Sequence, residues 1–303
     1  MKNKKQLLNI FQYTQLLVYK LVSHFPGLIK NDRNFIEYIW KYRMNYPLNL
    51  DNPKTYNEKL QWMKLYDRNP LYTQYVDKFA CKLLISKIIG KKYVIPTLGV
   101  WKSFDEIDFD SLPDQFVLKC THDSGGIVIC KDKKKLNIQA AKMKIRKAMK
   151  RDFWMAAREW PYKNVPRRII AEKYMEDEKT KELRDYKFFC FDGEVKAMFV
   201  ATERQRKEEP YFDFFTPDFN NMGIVQGHPN SPRKIEKPAT FEEMKKIATK
   251  LSKGLPHVRV DLYDVNGKVY FGEMTFFHHT GMVPFVPNKW DKIFGDWLQL
   301  PNK

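Results

Sequence analysis

Three hairpin patterns in the chain constrain its fold more than any other sequence feature. In each of them two apolar segments flank a turn of polar and glycine residues: 116–120 with 127–130, 186–191 with 195–201, and 258–263 with 269–276. The second turn contains Asp192-Gly193 and the third contains Asn266-Gly267, dipeptides that are typical of tight hairpin turns. Strands joined by such turns pair antiparallel, so the sequence predicts antiparallel sheets.

Most of the remaining segments predict helices. Residues 34–88 carry apolar side chains at a helical period, and two further helices are expected over 137–150 and from a capping box at Thr240 to residue 253. Residues 204–238 are rich in proline, asparagine and charge, and they predict a long loop. With 303 residues, 43% of them hydrophobic, the chain can bury a sizeable core and is not disordered as a whole. The predicted fold class is α+β, a helical N-terminal part followed by an antiparallel-rich body.

The chain is strongly basic. Its 54 Lys and Arg against 36 Asp and Glu give a formal net charge of +18, which favours anionic partners. Half of that charge lies in residues 131–151, which hold ten Lys or Arg and one Asp. A nucleotide needs fewer cations, so we expect this basic helix to guide a polyanionic acceptor; the alternative is a solvated helix that aids solubility. Few aromatic residues interleave with these cations, which argues against nucleic acid as the partner.

The N-terminal segment leaves two interpretations open. Residues 1–30 contain five lysines and no acidic residue, and their apolar side chains fall roughly on one helical face: Leu7, Phe11, Val18, Leu21, Val22 and Phe25. The segment is too polar to span a membrane, and no cleavage site of a secretory signal follows it, so we expect a cytoplasmic protein. The helix either lies on the inner, anionic face of a membrane or docks on the protein itself. The four cysteines lack zinc-binding spacing and predict reduced, buried thiols.

The last hairpin offers the clearest candidate site. In segment 258–263, Arg259, Asp261 and Tyr263 alternate with apolar residues and therefore share one face of the strand. A two-residue Asn-Gly turn would put Asp261 and Glu273 on opposite faces of the hairpin. A three-residue turn would place Arg259 opposite Glu273, with Asp261 beside them, and the two carboxylates would then suit a divalent cation. The alternative is a cluster of arginine and acids on a solvated sheet face.

Charged residues also interrupt the other apolar strands. Lys119 lies in an apolar strand, directly before a glycine-containing turn over residues 121–126 whose backbone amides could hold phosphates. Asp185 and Lys187 share one face of a later strand. The common phosphate-loop, dinucleotide-binding, serine-hydrolase and zinc-protease motifs are absent from the sequence.

Together these segments resemble the ATP-grasp superfamily, and most closely its branch in teichuronopeptide-type polysaccharide biosynthesis. The residues that carry the resemblance span about residues 50–301 and comprise 52–60, Asp77-Lys78, 112–119, 122–125, 172–174, 185–191, 259–263 and 271–276. Two departures concern the substrate end of the site. Thr275 stands where many ATP-grasp enzymes have an asparagine metal ligand, and residues 277–281 replace a loop that usually contains proline and serine.

The resemblance implies a role for each matching residue. It implies that Lys78 and Lys119 contact ATP phosphates and that Lys187 approaches the γ-phosphate or acyl phosphate, with Arg259 and Lys187 as catalytic residues. It implies further nucleotide-binding residues in a flexible loop and in an adenine hinge: His122, Ser124, Gly125 and Gly126, and Glu172, Lys173 and Tyr174. The implied magnesium ligands are Asp261, Glu273 and Thr275.

The resemblance also implies an activity and a division of the chain. The expected enzyme is an ADP-forming carboxylate–amine ligase that uses ATP and Mg²⁺ to form an amide on an acidic sugar of a surface polysaccharide or its precursor. The expected partners are an acidic glycan, or a nucleotide- or lipid-linked sugar, and a small amine. The expected parts are a basic helical segment over 1–50 and an ATP-grasp domain over 51–303, divided into a helical subdomain (51–112), a phosphate-loop subdomain (113–174) and a metal-binding sheet (175–303).

Two other functions stay open on the sequence alone. A glycosyltransferase would use the formal D-x-D pair of Asp108 and Asp110 to hold a metal-bound nucleotide sugar. A non-catalytic binder of anionic glycans would use the basic helix and the basic N-terminus.

Overall fold

The computed structural model describes residues 15–44, 46–204 and 209–302. Their helices are α1 (15–24), α2 (Asp32–Arg43), α3 (Tyr56–Tyr66), α4 (Leu71–Val76), α5 (Ala80–Ile89), α6 (Ile138–Lys150), α7 (Phe241–Ser252) and α8 (Lys289–Trp297). Their strands are β1 (Thr97–Trp101), β2 (Phe116–Cys120), β3 (Ile127–Cys130), β4 (Ile169–Lys173), β5 (Asp185–Phe191), β6 (Glu194–Thr202), β7 (Tyr211–Phe215), β8 (Val258–Val265) and β9 (Lys268–Thr275). Leu7 and Phe11 of the predicted N-terminal apolar face lie outside the described residues.

The strands form two antiparallel sheets. The four-stranded sheet has the order β1-β4-β2-β3, and the five-stranded sheet has the order β7-β6-β5-β8-β9. The three hairpins predicted from sequence are present as β2–β3, β5–β6 and β8–β9. The prediction of an α+β, antiparallel-rich fold is therefore confirmed.

Each sheet packs against its own core. In the four-stranded sheet, alternate side chains of β2 such as Phe116 and Leu118 pack with Ala141, Ile145 and Ala148 of α6. The five-stranded sheet shares a larger core with α3, α4, α5, α7 and α8. Lys119 faces away from α6, because it alternates with Leu118 along the strand. The unoccupied face of the small sheet is thereby turned toward the large one.

Local sequence explains where several helices begin. The capping box of α3 is formed by Thr55 and Glu58, whose side chains accept hydrogen bonds from each other's backbone amides at 3.3 and 3.0 Å. The capping box predicted at the start of α7 is wrong. Thr240 is the residue that precedes the helix, but its hydroxyl donates to Asp264 Oδ2 at 2.7 Å instead of capping the first turn.

Three further expectations differ from the structure. The loop predicted over 204–238 contains the strand Tyr211–Phe215, whose aromatic side chains pack into the large sheet. The helix expected across residue 77 is broken there, because Asp77 Oδ1 accepts hydrogen bonds from the amides of Phe79 and Ala80 and starts α5. The strand Thr97–Trp101 pairs with β4, so the small sheet begins before the boundary predicted at residue 113.

Candidate active site

Two adjoining cavities lie between the sheets. The first, of about 190 Å³, has mostly apolar walls: Ile95, Val117, Ile127, Ile129, Met175 and Leu183, with Tyr174 and Lys173 at one side. The second, of about 270 Å³, is lined mainly by charged and polar side chains: Lys78, Lys119, Ser124, Glu172, Asp185, Lys187, Arg204, Arg259, Tyr263, Glu273, His278 and His279. Lys119, Ile127, Glu172, Arg204 and Tyr263 line both. An apolar slot therefore opens directly into a chamber rich in cations.

Glu172 joins two lysines at the boundary between these cavities. Its carboxylate forms one ion pair with Lys119, at 2.6 Å, and another with Lys82 of α5. Burial alone would raise the pKa of Glu172, but the positive charges of Lys119 and Lys82 hold it at about 2. Burial alone would lower the pKa of Lys119, but the negative charge of Glu172 outweighs burial and raises the pKa of Lys119. Lys119 is thus fixed as a cation that faces the cavity.

The glycine-containing turn after β2 packs closely against neighbouring groups. Lys78, in the break between α4 and α5, donates from its Nζ atom to the carbonyl oxygen of Asp123 at 2.8 Å. The Asp123 carboxylate is paired with Arg151 at 2.5 Å. A Cβ atom on Gly126 would lie 2.5 Å from the side chain of Ala148, so this position has no room for a larger residue. Of the turn residues predicted to bind nucleotide, Ser124 lines the charged cavity.

A second group of charges surrounds Lys187 on β5. Its Nζ atom contacts the carboxylate of Asp261 and lies 3.2 Å from Asp185 Oδ2. Asp185 also pairs with Arg204, which follows β6. Among the described residues, nothing donates a hydrogen bond to the buried Oδ1 atom of Asp185. Lys187 therefore stands between two buried carboxylates at the floor of the chamber.

The β8–β9 hairpin brings the predicted metal-site residues onto one face through a strand bulge, and not through the length of its turn. Val265 pairs with Lys268, so the turn has two residues, and of the two alternatives the three-residue turn is wrong. The register then shifts between Asp261 and Leu262, where a bulge at Gly272 inserts one residue into β9. As a result Asp261 lies opposite Glu273, and Arg259 lies opposite Thr275 rather than opposite Glu273.

Arg259 organises this face of the hairpin. Its guanidinium donates twice to Asp261, from Nε to Oδ1 and from NH2 to Oδ2, both at 2.7 Å. NH2 also donates to the Thr275 hydroxyl at 3.0 Å and lies 3.5 Å from Glu273 Oε1. Such a fork-shaped contact fixes the plane of the guanidinium. Asp261 is fully buried beneath Arg259, whereas the side chain of Glu273 is 42% exposed toward the cavity.

The donor set suits a hard cation that also binds a ligand's oxygens. Burial would raise the pKa of Glu273, but Lys187, Lys78, Arg259 and Arg204 hold it at about 2, so the group is a carboxylate at neutral pH. Within the described ranges, no group of three or more His, Cys, Asp or Glu could enclose a metal ion. Magnesium usually takes only one or two protein carboxylates and completes its shell with water and phosphate oxygens. Glu273, which lines the cavity, fits that pattern, whereas both oxygens of the opposing Asp261 are already bonded to Arg259 and Lys187.

His278 supports Arg259 from the side opposite Asp261. Arg259 NH1 lies 2.6 Å from His278 Nδ1, and His278 Nε2 lies 3.1 Å from Gln226 Oε1. Arginine only donates, so Nδ1 accepts and Nε2 carries the proton that is donated to Gln226. Burial, together with the nearby His279 and Arg259, lowers the pKa of His278 well below its usual value, which keeps the ring neutral.

Comparison with known protein families decides where this chain belongs. Residues 58–299 match the family described as TupA-like ATP-grasp, which is well over half of the chain.

The chain belongs to the TupA-like ATP-grasp family.

Several solved structures are distantly similar to this TupA-like ATP-grasp protein. D-alanine–D-alanine ligase from Bacillus anthracis, complexed with ATP, is 18% identical, with a TM-score of 0.40 over 67% of this chain and 54% of that chain. D-alanine–D-alanine ligase from Helicobacter pylori is 14% identical, with a TM-score of 0.42 over 81% of this chain and 69% of that chain. The ATP-grasp ligase PsnB, complexed with a minimal precursor, is 10% identical, with a TM-score of 0.39 over 68% of this chain and 54% of that chain. The chain spans about half the length of the Bacillus anthracis ligase and of PsnB. No curated protein matches the chain significantly by sequence.

Family membership confirms the predicted superfamily and its branch. Most residues to which the resemblance assigns a role meet at the two cavities: Lys78, Lys119, Ser124, Glu172, Lys173, Tyr174, Lys187, Arg259 and Glu273. Asp261 and Thr275 lie behind them and contact Arg259. His122, Gly125 and Gly126 belong to the turn but do not line either cavity. The roles of all these residues in a TupA-like ATP-grasp protein stay predictions.

Sequence reasoning missed three contributors to the TupA-like ATP-grasp site. Lys82 carried a recognisable signal, a lysine on the buried face of an otherwise apolar helical segment. His278 lay in the segment that departs from the family pattern, but nothing in the sequence indicated its contact with Arg259. Arg204 follows a strand end in a charged stretch, and no sequence signal distinguishes it from its neighbours.

The features that favoured the other functions lie away from the cavities. Asp108 Oδ1 accepts hydrogen bonds from the amides of Asp110 and Ser111 at 3.0 and 3.4 Å, so the D-x-D pair forms an exposed turn. The basic helix α6 packs on the face of the small sheet opposite to Lys119. Lys142 and Arg146 of α6 both pair with Asp105. The sheet therefore separates these cations from the candidate site.

Proposed function

We propose that the protein is an ADP-forming carboxylate–amine ligase. The observation that carries the proposal is the junction of an apolar slot with a chamber whose walls present Lys78, Lys119, Lys187, Arg204 and Arg259. A flat base fits the slot, and a triphosphate requires cations at its mouth. Membership of the TupA-like ATP-grasp family supports the same placement of ATP.

ATP would lie with its base in the slot and its phosphates in the chamber. The end of β4, at Lys173 and Tyr174, lines the slot and would lie beside the base. Lys119 stands where the slot meets the chamber, and Glu172 holds it in place as a cation. Lys187 and Arg259 then lie deeper, at the end that the terminal phosphate would reach. This order places the strongest positive charge around the group that is transferred.

The reaction would take place in two displacements. A carboxylate oxygen of the acceptor attacks the γ-phosphorus of ATP, the bond to the β–γ bridging oxygen breaks, and ADP leaves. The resulting acyl phosphate is attacked at its carbonyl carbon by a neutral amine, which loses a proton as inorganic phosphate departs and the amide forms. Lys187 and Arg259 would stabilise the negative charge that develops on the transferred phosphoryl oxygens. The chain supplies no covalent nucleophile in this scheme.

Magnesium would be held by Glu273 and, from the opposite strand, by Asp261. When bound, the ion would neutralise charge on the phosphate oxygens of ATP. Asp261 is already paired with Arg259 and Lys187, so its charge is shared between these cations and any metal. Glu273 is exposed to the cavity and is the better placed of the two.

The acceptor would be an acidic sugar of a surface polysaccharide or of its precursor, and the second substrate a small amine. The strongly positive chamber suits a carboxylate-bearing acceptor, because the carboxylate must approach the equally anionic γ-phosphate. The resemblance to the teichuronopeptide branch supports a glycan rather than an amino acid as the acid. Cytoplasmic action agrees with the use of ATP.

The test is product formation with a matched pair of variants. The protein is incubated with ATP, Mg²⁺, candidate uronosides and amines, while ADP release and the mass of the sugar are followed. We expect ADP release that requires both the acid and the amine, and a sugar mass that increases by the amine less water. Lys187→Met should abolish both, whereas Lys196→Met, at a half-buried lysine of the neighbouring strand that lines neither cavity, should change neither. Transfer of a sugar without ADP release would contradict the proposal.

A further inference from the structure

The helix α1 divides into a face that packs on the protein and a face that does not. Val22 is buried with Phe35 and Trp40 of α2, and the ring of Tyr19 stacks on Tyr42 at 4.9 Å. These contacts seat the described part of α1 on the body. The predicted docking on the protein therefore holds for one face of the helix only.

The opposite face of α1 is apolar and exposed. Leu17, Val18 and Leu21 of α1 and Phe25, directly after its last residue, follow one another at spacings of one, three and four residues and form a continuous stripe. Between 44% and 60% of each side chain is accessible to solvent, and Leu28 in the next turn is 60% accessible. They account for five of the thirteen large hydrophobic side chains that are exposed in the described part of the chain, within only twelve residues.

The charged residues in the segment that carries this stripe are all positive. Lys20 and Lys30 are exposed beside it, and the preceding sequence adds Lys2, Lys4 and Lys5, with no acidic residue anywhere in residues 1–30. In the described part of the chain, no helix is long and apolar enough to cross a bilayer. An apolar stripe flanked by lysines is the pattern of a helix that lies in the plane of a membrane surface.

We propose that the exposed face of α1 binds the protein to a membrane surface rich in anionic lipid. The apolar stripe would enter the boundary between headgroups and acyl chains, and the lysines would contact the lipid phosphates. A second copy of the chain is a poorer occupant, because pairing two such stripes would bring Lys20 and Lys30 of each copy together. The proposal is independent of the proposed ligase activity, since none of these residues lines the cavities.

Flotation of the full chain with lipid vesicles tests the proposal. Vesicles of phosphatidylcholine with about 30 mol% phosphatidylglycerol are compared with phosphatidylcholine alone, at low and high salt. We expect binding to the anionic vesicles that weakens with salt. Replacing Leu21→Glu and Phe25→Glu together should lower the partition coefficient roughly tenfold or more, because carboxylates would have to enter the interface.

A matched control separates the stripe from exposed apolar residues in general. Leu83 and Met143 are 59% and 68% exposed on other helices, so the pair Leu83→Glu and Met143→Glu adds the same charge elsewhere. This control should retain vesicle binding to within about twofold. Equal binding by the Leu21/Phe25 variant and the wild type would overturn the proposal. So would a wild-type dimer that does not bind vesicles and that the Leu21/Phe25 variant converts to a monomer.

Discussion

Asp261 lies directly opposite Glu273 across the β8–β9 ladder, although the turn that joins the two strands has only two residues. With regular pairing from that turn, the two carboxylates would lie on opposite faces of the sheet. The bulge at Gly272 adds one residue to β9 and reverses this outcome. The facing carboxylates therefore depend on a residue that carries no functional group.

Gly272→Ala should disturb both stability and the candidate metal site. A Cβ atom there would lie 3.0 Å from the carbonyl oxygen of Asp261 and from the ring of Tyr263, so the bulge must shift to accept it. We expect a loss of about 1–3 kcal/mol in the free energy of unfolding and a higher Mg²⁺ requirement for ADP release. Gly27→Ala is the control, because its added methyl group meets only the end of Met155 at 3.5 Å. An unchanged Mg²⁺ requirement would show that the register of Glu273 is not needed.

Lys119→Ala and Lys82→Ala should have different effects although both lysines bind Glu172. Each variant leaves Glu172 with one partner, so neither should unfold the protein. Lys119 lines both cavities and Lys82 lines neither. We expect Lys119→Ala to lower ADP release by roughly 10²–10³-fold and Lys82→Ala to act mainly on the melting temperature. If Lys119→Ala is unfolded, Lys119 is a structural ion-pair member rather than a nucleotide contact.

Stability should fall in acid partly through Glu172. The pKa of this carboxyl is about 2 in the folded protein and near 4.5 when unperturbed, so the folded state binds fewer protons between these values. Its contribution, on the order of 3 kcal/mol, is fully present above about pH 4.5 and is lost as the pH falls toward 2. The free energy of unfolding, measured with urea at several pH values between 7 and 3, reports this contribution. Glu172→Gln should reduce the dependence of that free energy on pH. The control Glu194→Gln, at an exposed position, should leave the slope unchanged.

His278 should act as a positioning residue for Arg259. His278→Leu removes the acceptor of the 2.6 Å contact with Arg259 NH1 and should lower kcat about tenfold or more, with a smaller change in the KM for ATP. His278→Asn supplies a carbonyl acceptor and should restore part of kcat. Equal loss in both variants, with a lower melting temperature in each, would mean that the ring serves only to fill space.

The sequence predicted the strands of the site and most of its charges. Lys119, Lys187 and Arg259 are recognisable because each interrupts an apolar strand, and an ion in that context needs a partner. Alternation along a strand also predicted which side chains share a face. The α+β class followed from three hairpin turns, which are encoded by local residues.

Most of the unpredicted features depend on contacts between distant segments. The bulge at Gly272 had a local signal, an isolated glycine inside a strand, but the Asn266-Gly267 turn favours regular pairing. Lys82 meets Glu172 across ninety residues of chain, and Arg204 meets Asp185 only after β5 and β6 have paired. Partners of this kind are fixed by the packing of whole sheets.

The small sheet is an insertion whose two ends meet. Thr97 and Glu172 pair across β1 and β4, so the chain enters and leaves this module at one place. The two segments that connect this module to the rest of the protein therefore lie side by side, and adjacent connections of this kind can serve as a hinge. The core between β2 and α6 is a separate cluster, whereas Val165, just before β4, packs in the core of the large sheet. A change in the angle between the two sheets would leave the core of β2 and α6 intact, and a nucleotide bound to both sheets would hold that angle fixed.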